Sequence, residues 1–398
     1  MSTPTPRRLA WAYLNRVIEG PSRHLNALLA EHDVEEIAAG IERREEWIGP
    51  RLLAETASRA DWKQPAEDIA AMARRGIRLI TPDDPEWPRE EFQQAFSFAE
   101  RSHSDAIKSH QADAAPPHGL WVRGKPLAPL LAQAVTIVGT RTVSRYGRNV
   151  TALLASGLAS HHWTVVSGGA LGTDTVAHTE AMDAGGDTVM VASCGLDVAY
   201  PSANARLFQR IADHGCLVSE YPPGMHPARH RFLTRNRLVA AMGAGTVVTE
   251  AGWRSGALNT LSWAQAMGRV AMAVPGPVTS VTSVGCHERI KNQEAVLVTG
   301  VDDVRSLVSR VGTVDVTEQM ELAFPATPQA RLSRNEMRIW DGLHPSQPIG
   351  ASEVATEAGL SMGLTVHLLV DLAKRGYVRR EGDLWVRMGE EEVGNVVK

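Results

Sequence analysis

Between residues 134 and 298 the sequence returns again and again to short runs of β-branched and small apolar residues. They are Ala134–Val138, Thr164–Val166, Thr188–Val191, Cys216–Val218, Thr246–Thr249, Val270–Val274 and Ala295–Val298. Stretches of helical character separate most of them, as at 147–161 and 256–267. The runs are continuous rather than alternating, which marks strands buried on both faces. Strand alternating with helix predicts a parallel, doubly wound α/β sheet of Rossmann-like type. In such a sheet ligands bind just beyond the C-terminal ends of the strands, so the residues after each run are the ones to inspect.

The flanks read differently. Residues 1–118 form a mainly helical (SAM-like) N-terminal domain and linker, with breakers at Gly20-Pro21 and Gly49-Pro50 and a strand-like run at Ile77–Ile80. The Rossmann-like core spans 119–310. Residues 311–330, which hold acids and two prolines, read as a linker. Residues 331–398 read as a winged-helix-like domain and tail: three helices, then a hairpin from Arg375–Arg379 and Asp383–Arg387.

The net charge of −4 conceals an uneven distribution. Residues 1–118 carry −5, 119–310 carry +5, 311–330 carry −3 and 331–398 carry −1. The basic excess of the middle segment is concentrated in one stretch: Arg229-His-Arg-Phe-Leu-Thr-Arg-Asn-Arg237 holds four arginines and no acid. Basic side chains interleaved with an aromatic are the usual design for gripping single-stranded nucleic acid. The competing reading makes Phe232 a core anchor and the arginines a solvated face or internal ion pairs.

Other strand ends carry glycine-rich turns. Gly139-Thr140-Arg141 precedes a helix start at Ser144, and Ser167-Gly168-Gly169 opens Ser167–Asp174. Ser255-Gly256 follows Glu250. Each can present helix N-terminal amides to an anion. None is a GxGxxG or Walker A motif, so a kinase or ATPase is poorly supported. Glu250 is expected to hold Arg235 or Arg237, or to meet a ribose or base edge. Asp174 and His178 are expected to cap and pack. Cys194, Cys216 and Cys286 show no metal-type spacing and read as buried thiols. No apolar stretch of ~18 residues and no secretory signal is present, so a cytoplasmic location is expected.

At these motifs the chain resembles the DNA-processing protein A (DprA/Smf) family. The resemblance rests on Ile137-Val-Gly-Thr-Arg141, Val166-Ser-Gly-Gly169, Gly195-Leu-Asp-Val-Ala-Tyr-Pro201, Ser219-Glu-Tyr-Pro222, Phe232-Leu-Thr-Arg-Asn-Arg237, Glu250-Ala through Ser255-Gly256, and Val274-Pro-Gly276 through Gly285-Cys286. It implies a core that binds single-stranded DNA, forms a homodimer and helps load RecA recombinase during natural transformation, without catalysis and without a cofactor or metal. The implied DNA-binding residues are Gly139, Thr140, Arg141, Ser144, Ser167, Gly168, Gly169, Arg229, Phe232, Arg235, Asn236, Arg237, Ser255 and Gly256. One departure stands out: Leu171 replaces an arginine that many members carry in the second loop, and Thr173 an isoleucine.

An enzymatic alternative comes from the LOG-like nucleotide phosphoribohydrolases, with Glu250 as acid or water-orienting group. The Pro-Gly-Gly-x-Gly-Thr signature of those enzymes is missing here. A further alternative makes the 331–388 unit a duplex reader; its nearly balanced charge fits partner docking equally well.

Overall fold

Every β-branched run in the middle of the chain forms a strand. The computed structural model describes residues 3–101, 114–309 and 332–388, in two compact units, Met1–Val314 and Asp315–Lys398. The strands of the first unit are β1 (Ile77–Ile80), β2 (Leu120–Gly124), β3 (Ala134–Val138), β4 (Thr164–Ser167), β5 (Thr188–Ala192), β6 (Cys216–Ser219), β7 (Gly245–Val248), β8 (Val270–Ala273) and β9 (Val296–Leu297). They make one sheet in the order β1-β2-β6-β5-β4-β3-β7-β8-β9. From β6 across to β9 all neighbours are parallel, while β2 pairs antiparallel with β6 and β1 antiparallel with β2. The expected α/β class is therefore found, with an antiparallel edge. The expected border at 118/119 falls between two paired strands, since β1 lies before it and joins the sheet.

The helices of this unit are α1 (Pro6–Val17), α2 (Arg23–Leu29), α3 (Val34–Arg43), α4 (Pro50–Thr56), α5 (Pro65–Ala73), α6 (Arg89–Arg101), α7 (Leu127–Leu131), α8 (Arg145–Ser160), α9 (Thr173–Asp183), α10 (Ala205–His214), α11 (Arg229–Ala241), α12 (Gly256–Ala266), α13 (Val284–Lys291) and α14 (Val301–Val308). Period-two alternation divides β3 between the layers. Val135 and Ile137 pack with Leu154 and Leu158 of α8 and Ala177 of α9. Ala134 and Val138 face Leu238 of α11 and Leu261 of α12. Both faces are covered, which is why the runs are apolar throughout.

Connectivity sets the position of the site. The chain lays down β3, β4, β5 and β6 in one direction, then crosses back through α11 to place β7 on the other side of β3. The loops after β3 and β7 therefore diverge and leave a crevice at the switch in strand order.

The N-terminal helices form their own core, with Trp11, Leu14, Leu25, Ile37 and Ile41 packed against Trp121 of β2. Thr5 caps α1 by accepting a hydrogen bond from the Arg8 amide, and Pro6 occupies the first turn, where its missing N–H costs nothing. The far end of α1 clasps the sheet. Buried Asn15 donates to the Glu220 carbonyl (2.9 Å) and accepts from Trp121 Nε1 (2.8 Å). Arg16 pairs with Asp68 and donates to the Pro223 carbonyl (2.8 Å). Just past the helix, Glu19 accepts from Arg231 (2.7 Å), His230 (2.9 Å) and Arg59.

The second unit contains α15 (Arg334–Asp341), α16 (Ala351–Ala358) and α17 (Met362–Lys374), with β10 (Ile349–Gly350), β11 (Val378–Glu381) and β12 (Leu384–Arg387) in the antiparallel order β10-β12-β11. A capping box joins Ser333 and Glu336 at the start of α15. Ile339, Trp340, Leu369, Leu372 and Trp385 fill the core, which matches the expected winged-helix-like pattern. Met362, Val366 and Val370 stay exposed on α17.

The clasp at Glu19 yields a pH-dependent prediction. Burial alone pushes this carboxyl up, but the hydrogen bonds from Arg231, His230 and Arg59 together outweigh it and bring the pKa from 4.5 down to about 2. A depressed carboxyl stabilises the fold fully above its unfolded pKa and stops doing so as pH falls through the folded one. Glu19→Gln is therefore expected to lower the urea midpoint at neutral pH, and the gap from wild type should close as pH falls from about 4.5 toward 2. Parallel curves for the two proteins over that range would show that the clasp carries no charge-dependent stability.

Candidate nucleic-acid interface

The crevice at the switch point has a volume of about 830 Å³. Its floor is Gly139 and Thr140 after β3, Gly168 after β4, and Asn236 and Thr260 from α11 and α12. Arg141, Tyr200, Arg229 and Phe232 form one wall, and Trp253, Arg254, Val281 and Thr282 the other. A smaller recess of about 80 Å³, lined by Gly169, Leu171, Ser193, Tyr200 and Phe232, adjoins the first wall.

The first wall is an aromatic and cationic stack. Arg141 Cζ lies 5.2 Å from the centre of the Phe232 ring, and the Phe232 and Tyr200 rings are 5.7 Å apart. Phe232 is half-buried, so one part of the ring anchors and another meets solvent. Arg141, Arg229 and Arg254 are exposed and have no anionic partner among the described residues. These three guanidinium groups are free to meet an incoming anion.

The four arginines of the 229–237 segment separate into different roles. Arg229 reaches the crevice. Arg231 turns away to Glu19. Arg235 is buried, and its Nη1 donates to the Gly168 and Val191 carbonyls, both at 2.6 Å. Burial pulls its pKa down, which the nearby Asp174 opposes. Arg237 is fully buried and pairs with Glu220 at 2.6 Å, beside the Phe96 ring. The expectation that Arg237 contacts DNA is corrected: it is a core ion pair outside the crevice. Arg235 borders the crevice floor, but its hydrogen bonds go to the protein's own carbonyls.

Two of the three expected anion turns are already occupied by internal carboxylates. Glu250 is buried and accepts from the Ser144 amide (2.9 Å) and from Thr282 Oγ1. Ser144 Oγ in turn caps α8 by accepting from the Gly147 amide (3.0 Å). Ser144 thus organises the helix start and does not line the crevice. Glu250 holds neither Arg235 nor Arg237, contrary to expectation; it pins the loop after β3 to the loop after β8. In the second turn, the Asp174 carboxylate accepts from the Ala170 amide (3.1 Å). Burial pushes the Asp174 carboxyl up, against the pull of Arg235 and that amide. Ser167 Oγ is buried and donates to the Ile137 carbonyl (2.7 Å).

Close packing explains the glycines here. A Cβ on Gly168 would collide with the Arg235 guanidinium, and Gly172, at φ +85°, lies against the Thr140 and Arg141 carbonyls. The third turn is different. Ser255 Oγ accepts from Ala257 N (3.3 Å) at the start of α12, whose first turn contains no acid, and Gly256 is open to the crevice. Asn236 donates to Asn259 Oδ1 (3.1 Å) and borders the same space.

His178 is buried with Nδ1 2.7 Å from Thr188 Oγ1, and burial brings its pKa down to about 3, so it packs in the neutral form. The three cysteines are buried, and burial pushes their thiols up, Cys194 to about 11. Among the described residues no group of three or more His, Cys, Asp or Glu is arranged to hold a metal, and no helix is long and apolar enough to cross a membrane. Sequence reasoning passed over Tyr200, Trp253 and Arg254. An aromatic soon after the β5 run, and an aromatic beside a cation after β7, are the signals that point to them.

Residues 78–309 match the family described as DNA recombination-mediator protein A. A Mycobacterium tuberculosis protein described as a DNA processing protein DprA is 43% identical over 375 residues, 91% of this chain and 93% of its own length. The Streptococcus pneumoniae DNA processing protein DprA is 41% identical over 170 residues, 43% of this chain and 60% of that one. The X-ray structure of DNA processing protein A from Streptococcus pneumoniae aligns with a TM-score of 0.60 at 28% identity, over 78% of this chain and 100% of that chain.

The burial of Arg237 generates a stability prediction. Arg237→Ala removes the guanidinium that Glu220 pairs with in the core, at a cost of about 3–5 kcal/mol. Replacing both partners by apolar residues, Arg237→Met with Glu220→Leu, should recover most of that loss in a denaturant titration. A wild-type midpoint for Arg237→Ala would contradict the ion-pair role.

Proposed function

The chain belongs to the DNA recombination-mediator protein A family, and from that membership together with the crevice we propose that it binds single-stranded DNA and acts as a recombination mediator. In this reading it works as a homodimer that protects incoming DNA and helps load RecA recombinase during natural transformation. The dimer and RecA parts rest on the family resemblance.

The observation that carries the DNA reading is the Arg141–Phe232–Tyr200 stack at the switch point, flanked by the unpaired Arg229 and Arg254. A base offers its face to a side chain only when it is unstacked and unpaired, which favours a single strand over a duplex. Arginine supplies phosphate neutralisation without reading sequence. The site residues of this reading are Gly139, Thr140, Arg141, Gly168, Gly169, Arg229, Phe232, Asn236, Ser255 and Gly256. Ser144, Ser167 and Arg235 support them from behind.

The reading is of binding rather than catalysis. The hydrolase alternative needs Glu250 at the ligand, and this carboxylate is buried and bonded to Ser144 and Thr282.

Titration of single- and double-stranded oligonucleotides at several salt concentrations tests the proposal. Single strands should bind much more tightly than duplex, with little sequence preference. Three rim arginines at about 0.7 per phosphate give a log–log salt slope of roughly −2. Arg141→Glu with Arg229→Glu should abolish binding in a folded protein. Phe232→Ala should weaken it by ~1–3 kcal/mol and leave the salt slope unchanged. A flat salt response, or equal affinity for duplex, would overturn the reading.

A further inference from the structure

The opposite wall of the crevice bears the largest exposed aromatic on its rim. Trp253 is 63% exposed, and Arg254 beside it is exposed and has no anionic partner among the described residues. Both line the same crevice as Phe232 but stand on the loop after β7, across the switch point from α11.

This loop is built to hold the pair outward. The Ser255 amide donates to the Gly252 carbonyl (3.1 Å), closing a four-residue turn with Trp253 and Arg254 at its two corners. Ser255 also caps α12, so the turn is fixed to a helix at one end. At the other end Glu250 fixes it: its backbone carbonyl accepts from Thr140 N (2.8 Å) and its side chain accepts from Thr282. Val281, likewise exposed, lies next to the turn, with its carbonyl 3.6 Å from where a Cβ on Gly252 would stand. A solvent-facing indole on a hydrogen-bonded turn, beside a guanidinium with no anionic partner among the described residues, has the composition of a base-stacking site, with a flat π-face for the base and a cation for its phosphate.

We propose that Trp253 and Arg254 form a second nucleotide-binding platform, so that one DNA strand spans the crevice with bases stacked on Phe232 on one wall and on Trp253 on the other. The proposal rests on the single-stranded DNA reading above and extends it. Charge complementarity selects the occupant: each aromatic has a cation beside it, Arg141 at Phe232 and Arg254 at Trp253, and the internal acids Asp174 and Glu250 are both engaged with protein donors.

The test uses the full chain with oligothymidylates of increasing length, read by anisotropy and by tryptophan fluorescence. Trp253→Ala is expected to weaken binding of the longer oligonucleotides about ten-fold. The shortest oligonucleotides that bind should lose little, because they rest on the Phe232 wall alone. Trp253→Phe should keep most of the affinity while removing the fluorescence quenching that DNA causes in the wild type. Arg254→Ala should reduce the salt slope by roughly 0.7, one phosphate contact. Unchanged affinity in Trp253→Ala at every length, or full quenching in Trp253→Phe, would overturn the second platform while leaving the DNA reading in place. Absence of any single-strand binding by the wild type would overturn both.

Discussion

The guanidinium groups of one helix hold the switch point together. Helix α11 must carry the chain from one side of β3 to the other, past the C-terminal ends of β4 and β5. Arg235 donates to two backbone carbonyls there, Gly168 after β4 and Val191 within β5. Arg237 meets the acid at the end of β6, and Arg231 meets the segment just past α1 through Glu19. Each contact satisfies a polar group that burial would otherwise penalise. With the helix fixed at three points, Arg229 and Phe232 project from its first turn into the crevice. Holding the strand ends and presenting the ligand-facing side chains are tasks of the same thirteen residues.

The same economy governs the anion turns. A glycine-rich loop followed by a helix start is suited to a phosphate, but it is equally suited to a carboxylate from within the chain. Here Asp174 and Glu250 take that place, and the loops after β3 and β4 become rigid supports. In the proposed reading, charge recognition then falls to the rim, to Arg141, Arg229 and Arg254.

Much of this was legible in the residues. The β-branched runs predicted seven strands and their parallel arrangement, because burial on both faces leaves a continuous apolar signature. Period and spacing do not reveal which arginine of a dense cluster is buried, since that depends on where the acids of distant segments arrive. Glu220 and Glu19 lie 17 and 212 residues from the arginines they engage. The antiparallel edge was half visible, as Ile77–Ile80. Its partner Leu120–Gly124 ends in an arginine and a glycine and was not distinguished from its surroundings. Trp253 is not distinguished in the sequence, because exposure cannot be read from a single aromatic.

The β2–β6 pairing also imposes an order on synthesis. Strand β2 ends at Gly124, and its partner begins at Cys216. A nascent chain translated at ~5–20 residues per second therefore carries the N-terminal helices and β2 with an uncovered sheet edge for on the order of 5–20 s before that partner is made. During that interval Trp121 has the core of the N-terminal helices to bury against, whereas the hydrogen-bonding edge of β2 and its other apolar face, Leu120 and Val122, wait for Cys216, Val218 and Leu238 to follow.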